Sequence, residues 1–189
     1  MQISILRGMM KVVALVGMAG SGKSEVSKVF EDAGYKRVRF GDVTDEEVSG
    51  RGLKLNEANE KLVRESLRAE HGPAIYAKLT IPKIDEFLKS SNAVIDGLYS
   101  WEEYLVLRKK YADNLKLILI HSSPATRYSR LASRSIRPLT KEEAVGRDAS
   151  EIENINKGGP IAMADYVIIN DSTFDELQSQ TKKVIRVLG

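Results

Sequence analysis

The strongest chemical signal in this sequence is a glycine-rich stretch that ends in a lysine and a serine. It has the spacing G-x-x-x-x-G-K-[ST] and consists of Gly17, Met18, Ala19, Gly20, Ser21, Gly22, Lys23 and Ser24, here called the phosphate loop. Glycine lets the backbone turn tightly and approach an anion, so that amide N–H groups can point at phosphate oxygens. Lys23 would bind the β- and γ-phosphates, and Ser24 would offer a hydroxyl ligand to Mg²⁺. The stretch therefore predicts a site for ATP with Mg²⁺.

The segments on both sides of the phosphate loop are those that a phosphate-binding turn requires. Before it, Val12–Val16 is apolar and largely β-branched, which is typical of a buried parallel strand. After it, apolar residues between Glu25 and Ala33 recur at helical spacing, and Gly34 would end the helix. A glycine-rich turn with an incidental lysine is the alternative. The order of strand, loop and helix favours a nucleotide triphosphate site.

The first acidic candidate is Asp42, which follows a strand predicted over Tyr35–Phe40. There its carboxylate would lie near the phosphate loop, where it could accept the proton of an attacking hydroxyl or hold metal-bound water. Aspartate is also a favoured N-cap, and Asp45, Glu46 and Glu47 would then occupy a first helical turn. We predict a catalytic role for Asp42, with the helix cap as the alternative.

The second acidic candidate is Asp96, which ends the apolar run Ala93–Ile95. An acid at the tip of a buried strand is the Walker B arrangement, which binds Mg²⁺ directly or through water. Because Ser100 could cap the next helix, Asp96 would be left free for function. The sequence therefore predicts Ser24 and Asp96 as metal ligands. The alternative is that Asp96 only accepts hydrogen bonds from loop amides.

Four arginines recur at spacings that would place them on one stripe of a helix opening at Pro124. They are Arg127, Arg130, Arg134 and Arg137. Guanidinium groups on one face repel each other unless anions lie close, and arginine binds phosphate through a planar fork. The stripe predicts a lid within residues 124–158, in which Arg127 and Arg134 act on the transferring phosphoryl group. The alternative is a solvated face that pairs with Glu142, Glu143, Glu151 and Glu153.

About fifty residues separate the second predicted strand from the third, which is more than a crossover needs. An insertion at the carboxyl end of a parallel sheet lies where ligands bind, so residues 43–91 are predicted to bind the acceptor rather than to form only a larger helical cover. A helical stripe within it is marked by Leu55, Ala58, Leu62 and Val63. Arg64 and Arg68 could clamp an acceptor phosphate or pair with Glu60 and Glu65.

Three polar or aromatic residues follow other strands. Asn170 stands at the end of the last predicted strand, where it could contact the adenine of ATP or cap the final helix. Tyr99 and Trp101 follow the third strand and could stack on a base or cover the core. We predict Asn170 as part of the nucleotide site and leave both alternatives open for the two aromatic residues.

Composition limits the classes of function. The chain has 189 residues, which suits one domain over residues 1–189, and its net charge of +3 is too small to indicate nucleic-acid binding. It has no cysteine, which excludes disulfides and thiolate metal sites and favours the cytoplasm. No apolar run approaches the length of a membrane span. The leader Met1–Gly8 is too short for a secretory signal, and translation could start at Met1, Met9 or Met10.

Short apolar runs alternate with amphipathic stretches, which is typical of βαβ units around a parallel sheet. The predicted strands are Lys11–Gly17, Tyr35–Phe40, Asn92–Asp96, Leu115–His121 and Tyr166–Asn170. Helices are predicted between them. One of these covers Ile75–Lys89, where Pro82 should kink or split it.

Several segments resemble the P-loop nucleoside and nucleotide kinases, especially the branch of the dephospho-coenzyme A kinases and adenylate-kinase-related proteins. Besides the phosphate loop they are Asp42, Val94–Gly97, Arg127–Arg137, Lys141–Arg147 and Ala164–Asn170. The last segment is similar to the Ala-Asp-Tyr-Val-Ile-x-Asn ending of dephospho-coenzyme A kinases. Two features depart from that family, because an Asp-x-Asp after the second strand is reduced to Asp42, and the third strand continues into Gly97–Trp101 instead of Pro-Leu-Leu-Phe-Glu.

The resemblance implies an α/β P-loop NTPase fold with three layers, in which helices flank a parallel sheet of order 2-3-1-4-5 and form a mobile lid and a substrate-binding region. It implies ATP-dependent phosphoryl transfer to a small nucleotide-like acceptor, of the dephospho-coenzyme A or nucleoside monophosphate type. The alternative is a P-loop ATPase or regulatory protein without small-molecule kinase activity. A GTPase is disfavoured because Asn-Lys-x-Asp is missing, and a nucleic-acid partner because no basic tracts alternate with aromatic residues.

Overall fold

The computed structural model describes residues 10–189, so the leader Met1–Gly8 and the choice of start codon lie outside the described residues. Its centre is a sheet of 5 parallel strands in the order β2-β3-β1-β4-β5. The strands are β1 (Val12–Val16), β2 (Lys36–Arg39), β3 (Ala93–Asp96), β4 (Leu115–His121) and β5 (Tyr166–Ile169). The expected strand order is confirmed, and each strand lies within a segment predicted as a strand, including β2, whose sequence Lys-Arg-Val-Arg is largely charged.

Helices cover both faces of this sheet. They are α1 (Lys23–Asp32), α2 (Phe40–Gly50), α3 (Glu57–His71), α4 (Ile75–Phe87), α5 (Trp101–Tyr111), α6 (Pro124–Ala132), α7 (Lys141–Glu153), α8 (Gly158–Ala162) and α9 (Phe174–Leu188). One face carries α1 and α9 over a core that includes Val13 and Phe30. The opposite face carries α2 to α5 over a core that includes Val12, Phe40 and Leu107. This is the predicted three-layer α/β architecture.

The basic helix α6 is shorter than its arginine spacing suggested. It ends before Arg134, so the prediction that all four arginines share one helical stripe is wrong. Arg137 has a left-handed backbone (φ 56°) and stands before Pro138, a position at which helical backbone is sterically disfavoured. The N–H of Leu139 then donates to the carbonyl oxygen of Leu131 at 3.1 Å, which folds the chain back onto α6.

The buried face of α3 also differs from the apolar stripe in its sequence. Val63 and Leu67 are buried together with Glu60, whereas Leu55 and Leu62 are about half exposed. Glu60 is turned inward because it forms ion pairs with arginines of the site described below. Glu60 therefore shares the buried face of this helix with Val63 and Leu67, and Leu62 lies outside it.

Two smaller differences concern the helices α4 and α8. The helix α4 continues through Pro82 without being split. The short helix α8 was not predicted, because its sequence Gly-Gly-Pro-Ile-Ala has little helical propensity. No helix of the described part combines the length and the apolarity needed to span a bilayer.

Candidate functional site

The phosphate loop connects β1 to α1 and has the tight backbone that its glycines predicted. Gly17 has a φ of 150°, and a Cβ atom there would lie 2.3 Å from the carbonyl oxygen of Ile120. Gly22 has a φ of 100°, and its Cβ would lie 2.3 Å from Nδ2 of Asn170. Only glycine fits these two places, since any side chain would be both strained and in collision.

Lys23 is the first residue of α1, and its side chain is folded back over the phosphate loop. Its Nζ donates to the carbonyl oxygens of Gly17 and Met18 at 2.8 and 3.0 Å. Burial, followed by the charge of Lys157, lowers the pKa of Lys23 to about 7, and the charges of Glu151 and Asp96 oppose this shift. The ammonium group thus lies at the loop, among charged groups from β3 and α7 and from the segment before α8.

Two side chains could offer oxygen ligands to a metal ion. Ser24 is exposed in the first turn of α1, and Asp96 ends β3 opposite Leu15 of β1. Mg²⁺ prefers such oxygen ligands and is usually held by one or two carboxylates together with water and phosphate. The pair fits Mg²⁺ in this respect, and within residues 10–189 there is no group of three or more acidic or histidine side chains that would form a fuller cage. Ser24 and Asp96 stay the predicted ligands.

The carboxylate of Asp96 has a partner that the sequence did not reveal. Arg37 of β2 donates from Nη2 to Oδ2 of Asp96 at 2.5 Å, and its Nη1 also lies 3.4 Å from Oε2 of Glu31. Asp96 is 5% exposed, so Arg37 balances a charge that would otherwise be costly to bury. The bond engages Oδ2, which leaves Oδ1 as the oxygen that would face a cation.

Asp42 lies in the first turn of α2, and the residue at the N-cap is Arg39. The helix-cap alternative for Asp42 is therefore wrong. Nη1 of Arg39 donates to Oδ1 of Asp42 and to Oδ2 of Asp45, both at 3.0 Å. Asp42 is partly exposed, so its second oxygen is accessible to a ligand. The catalytic role of Asp42 stays a prediction.

Arg127 is buried beneath the phosphate loop instead of lying over it. Its Nη1 and Nη2 donate to the two carboxylate oxygens of Asp148 at 2.9 and 2.6 Å. Nη1 also donates to the carbonyl oxygen of Ala19 at 3.1 Å, and Nε donates to that of Ser122 at 3.2 Å. Arg127 thus makes a bracing contact to the loop backbone, with Asp148 of α7 as its buried counter-charge. Its expected action on the phosphoryl group stays a prediction.

Asn170 and Arg130 support the phosphate loop from the side of β5. Nδ2 of Asn170 donates to the carbonyl oxygen of Ser21 at 2.8 Å, and its Oδ1 lies 3.4 Å from Nη2 of Arg130. Arg130 also donates to Oγ of Ser122 at 3.1 Å. Asn170 is buried, so its observed contact is with the loop, and the predicted contact with adenine stays a prediction.

Four further arginines gather between α3, the segment after α6, and α7. This arginine cluster consists of Arg64, Arg134, Arg137 and Arg147. Arg64 lies 2.7 Å from Glu57, and Arg147 lies 3.4 Å from the same carboxylate. Glu60 is 2.7 Å from Arg137 and 3.5 Å from Arg64. The insertion and the lid region thus meet in one charged surface.

Arg134 differs from the other members of the arginine cluster. No carboxylate oxygen of the described residues lies within 4.0 Å of its guanidinium, unlike those of the other three. Arg134 is an exposed residue, and partial desolvation of its guanidinium together with the positive charges of Arg147 and Arg137 lowers its pKa. The cluster therefore has a cationic side chain that an anionic ligand would stabilise.

Arg68, the second clamp candidate, has a structural partner. It lies 3.4 Å from Oε1 of the fully buried Glu103, and its guanidinium covers the ring of Tyr76 at 4.7 Å. Glu103 and Ser100 form the capping box of α5, which confirms the cap expected at Ser100. Arg64, a member of the arginine cluster, therefore stays the candidate for clamping an acceptor phosphate.

Two charged residues of this site were not predicted from the sequence. Lys157 was not considered, and Glu151 was expected only as a partner on a solvated face. Lys157 is completely buried and lies 2.5 Å from Oε2 of Glu151. Burial alone would raise the pKa of Glu151, but Lys157 and Arg147 lower it to about 2. The ring of Tyr99 lies 4.8 Å from Nζ of Lys157, so Tyr99 lines this site. A lone lysine before two glycines carries no signal of such a place in the sequence.

A protein-family model described as an AAA domain matches residues 13–156. Among relatives, a UPF0200 protein of Thermococcus kodakarensis is 37% identical over 92% of this chain and 96% of its own. Among solved structures, shikimate kinase from Bacteroides thetaiotaomicron has a TM-score of 0.62 at 17% identity, covering 95% of this chain and 98% of that one. Dephospho-CoA kinase from Campylobacter jejuni has a TM-score of 0.55 at 16% identity, with 96% and 98% covered.

At 17% and 16% identity, the two kinases show only that the fold is shared. The UPF0200 relative is 37% identical over 92% of the chain, which shows a common family. The chain therefore belongs to the AAA-domain and UPF0200 families and has the P-loop NTPase fold, which it shares with these two kinases.

Proposed function

We propose that the protein catalyses ATP-dependent phosphoryl transfer to a small nucleotide-like acceptor, of the dephospho-coenzyme A or nucleoside monophosphate type. The observation that carries this proposal is the position of two cationic sites beside each other. The phosphate loop with Lys23 is linked to the arginine cluster through Arg147, whose charge acts on Lys23 and whose guanidinium reaches Glu57 of α3. A donor and an acceptor that both carry phosphate would need such an arrangement.

The predicted roles follow from the chemistry of each side chain. Lys23 would bind the phosphates of ATP, and Mg²⁺ held by Ser24 and Asp96 would neutralise part of their charge. Asp42 would orient or deprotonate the acceptor hydroxyl or phosphate. Arg134 would approach the transferring phosphoryl group, because it is the member of the arginine cluster without a carboxylate partner among the described residues.

The charge of the arginine cluster favours an anionic acceptor over a neutral one. Three of the four guanidinium groups share Glu57 and Glu60, whereas Arg134 pairs with neither. The further carboxylate near them, Glu151, is shared between Arg147 and Lys157. Positive charge is therefore in excess. Like charges at close range destabilise each other until a counter-ion binds, so an acceptor phosphate would be attracted here.

The test is an acceptor panel with labelled ATP and Mg²⁺. Dephospho-coenzyme A and the nucleoside monophosphates are offered singly, and label transfer to the acceptor is measured. We expect transfer to at least one of them. Arg134→Met should lower kcat/KM for that acceptor about tenfold or more, because a charged contact with the transferring phosphoryl group is lost. The matched control is Arg51→Met, since Arg51 pairs with Glu47 on the surface.

The alternative function is ATP hydrolysis without a small-molecule acceptor. The match to an AAA domain is the observation that supports it. It predicts phosphate release that no acceptor in the panel changes. Transfer to any acceptor would rule it out, and a protein that hydrolyses ATP but labels none of the panel would contradict the kinase proposal.

A further inference from the structure

A buried lysine that the proposed roles do not use, Lys157, lies against the ring of Tyr99. The hydroxyl oxygen of Tyr99 is 2.8 Å from the place where Gly97, the residue after Asp96, would carry a Cβ atom. Lys157 is 0% exposed, and its Nζ lies 2.5 Å from Oε2 of Glu151. After burial, the charge of Lys157 is the largest influence that lowers the pKa of Lys23, while the charge of Glu151 raises it. Both members of the pair are thus close enough to act on the lysine of the phosphate loop.

The backbone around Lys157 is held firmly. Its N–H donates to the carbonyl oxygen of Glu151 at 3.2 Å, and Asn156 before it has a left-handed φ of 53°. Two residues later, Gly159 packs so closely on Trp101 that a Cβ atom would lie 2.5 Å from Cε3 of the indole. Any rearrangement at this place would therefore involve the lysine side chain rather than the backbone.

A buried lysine–glutamate pair is a poor device for stability alone. Burying two charges costs about as much as their attraction returns, and apolar side chains of the same volume often serve as well. Each member of the pair also has a second contact, which it could keep if Lys157 and Glu151 separated. Nζ of Lys157 lies 4.8 Å from the ring centroid of Tyr99, and Glu151 accepts from Nε of Arg147 at 3.2 Å. Arg147 would still neutralise Glu151 if Lys157 turned away.

We propose that Lys157 is a second phosphate-binding lysine, which Glu151 holds without nucleotide and which contacts the terminal phosphate of a bound nucleoside triphosphate beside Lys23. This rests on the proposed function only as far as nucleotide binding. A triphosphate supplies the negative charge that two neighbouring ammonium groups lack. A diphosphate does not have the terminal phosphate, so Lys157 would stay on Glu151. Lys157 would thus set the preference for triphosphate over diphosphate.

The test compares the dissociation constants of MgATP and MgADP by calorimetry. Lys157→Met should raise the Kd of MgATP about tenfold or more and that of MgADP less than about twofold, because only the triphosphate loses a charged contact. Lys157→Arg should keep most of the difference between the two nucleotides. A purely structural role would change both constants alike.

Lys110→Met is the matched control. Lys110 also lies near a carboxylate, Asp85 at 2.9 Å, and near a tyrosine ring, Tyr111 at 5.7 Å, but it is a partly exposed residue of α5. We expect both dissociation constants to be unchanged in this variant.

Equal changes of the two constants in Lys157→Met, or no change, would overturn the proposal. If this variant does not fold because Glu151 is left buried, Lys157→Met with Glu151→Gln replaces it, with the same expected result. A wild-type protein that binds neither nucleotide would contradict the proposed function and this proposal together. A wild type that binds both, with an unchanged ratio in the variants, would contradict the role of Lys157 alone.

Discussion

Asn170 donates its side-chain amide to the carbonyl oxygen of Ser21 at 2.8 Å, across 149 positions of the chain. Both residues are buried, and the same Nδ2 lies 2.3 Å from the place where Gly22 would carry a Cβ atom. The residue after β5 therefore fixes the back of the phosphate loop. The contact also makes Gly22 a sensitive probe of the loop geometry.

Gly22→Ala should lower the free energy of unfolding by more than about 2 kcal/mol, because it adds left-handed strain to an overlap with Asn170. Asn170→Ala should cost about 1–3 kcal/mol, because the buried carbonyl of Ser21 loses its donor. In the double variant the overlap is gone, so the loss should be at least about 1 kcal/mol smaller than the sum. Urea unfolding measures all three variants.

Gly34→Ala serves as the control for this cycle. Gly34 has a φ of 90° but no atom within 4 Å of its Cβ position, so alanine there adds strain without overlap. Its effect should be additive with that of Asn170→Ala. Additivity at Gly22 as well would mean that Asn170 does not shape the phosphate loop.

Arg127→Met should destabilise the protein by about 3–5 kcal/mol, because the variant leaves the carboxylate of Asp148 buried without its partner. Arg127→Met with Asp148→Leu should recover part of that loss, as thermal unfolding would show. If Arg127 only braces the loop, the folded double variant should transfer the phosphoryl group at a rate within about threefold of wild type when MgATP is saturating. A folded double variant that binds MgATP but transfers the phosphoryl group about 10²-fold more slowly would instead support the direct role expected from the sequence.

Asp42→Asn should reduce the rate of phosphoryl transfer about 10²- to 10⁴-fold, because an amide cannot accept the acceptor proton. The Kd of MgATP should stay unchanged in a calorimetric titration. Asp45→Asn is the matched control, since both carboxylates accept from Nη1 of Arg39 at 3.0 Å. Normal turnover in Asp42→Asn, or an equal loss in the control, would reject the catalytic role.

The Glu151–Lys157 pair should leave a signature in acid. The pKa of Glu151 is lowered to about 2 from its ordinary value of 4.5, so the folded state binds the proton more weakly than the unfolded state. The resulting stability is present above about pH 4.5 and is lost as the pH falls through about 2. Tm should therefore fall less steeply between pH 5 and pH 2 in Glu151→Gln than in wild type.

Glu153→Gln provides the comparison for that acid titration, because Glu153 is an exposed residue of the same helix, α7. Its Tm should follow the wild-type curve. Parallel curves for wild type and Glu151→Gln would mean that the buried pair does not hold the carboxylate in its charged form.

The local signals of the sequence predicted the sheet and the phosphate loop well. Apolar runs marked every strand except the largely charged β2, and the spacing from Gly17 to Ser24 marked the turn, because both depend on neighbours in the chain. The strand order came from the resemblance. A parallel order is set by crossovers that periodicity alone does not reveal.

The contacts of the site were largely invisible for the same physical reason. Arg127 pairs with Asp148 over 21 residues, and Arg37 pairs with Asp96 over 59. No periodicity connects such partners, so spacing alone placed the arginines on one helical stripe and left Lys157 unnoticed. Arg137 before Pro138 was the local signal that ended the predicted helix, but it does not reveal that α6 ends at Ala132.

Nucleotide binding at the phosphate loop is tested most directly by a calorimetric titration of MgATP into the wild-type protein and into Lys23→Met. We expect a saturable heat of binding with one nucleotide per chain in the wild type. Lys23→Met should lower the affinity for MgATP at least about tenfold, because the phosphates lose their closest positive charge. The absence of binding heat in the folded wild type, or equal affinity in the two proteins, would contradict the claim that residues 17–24 bind the phosphates of a nucleotide.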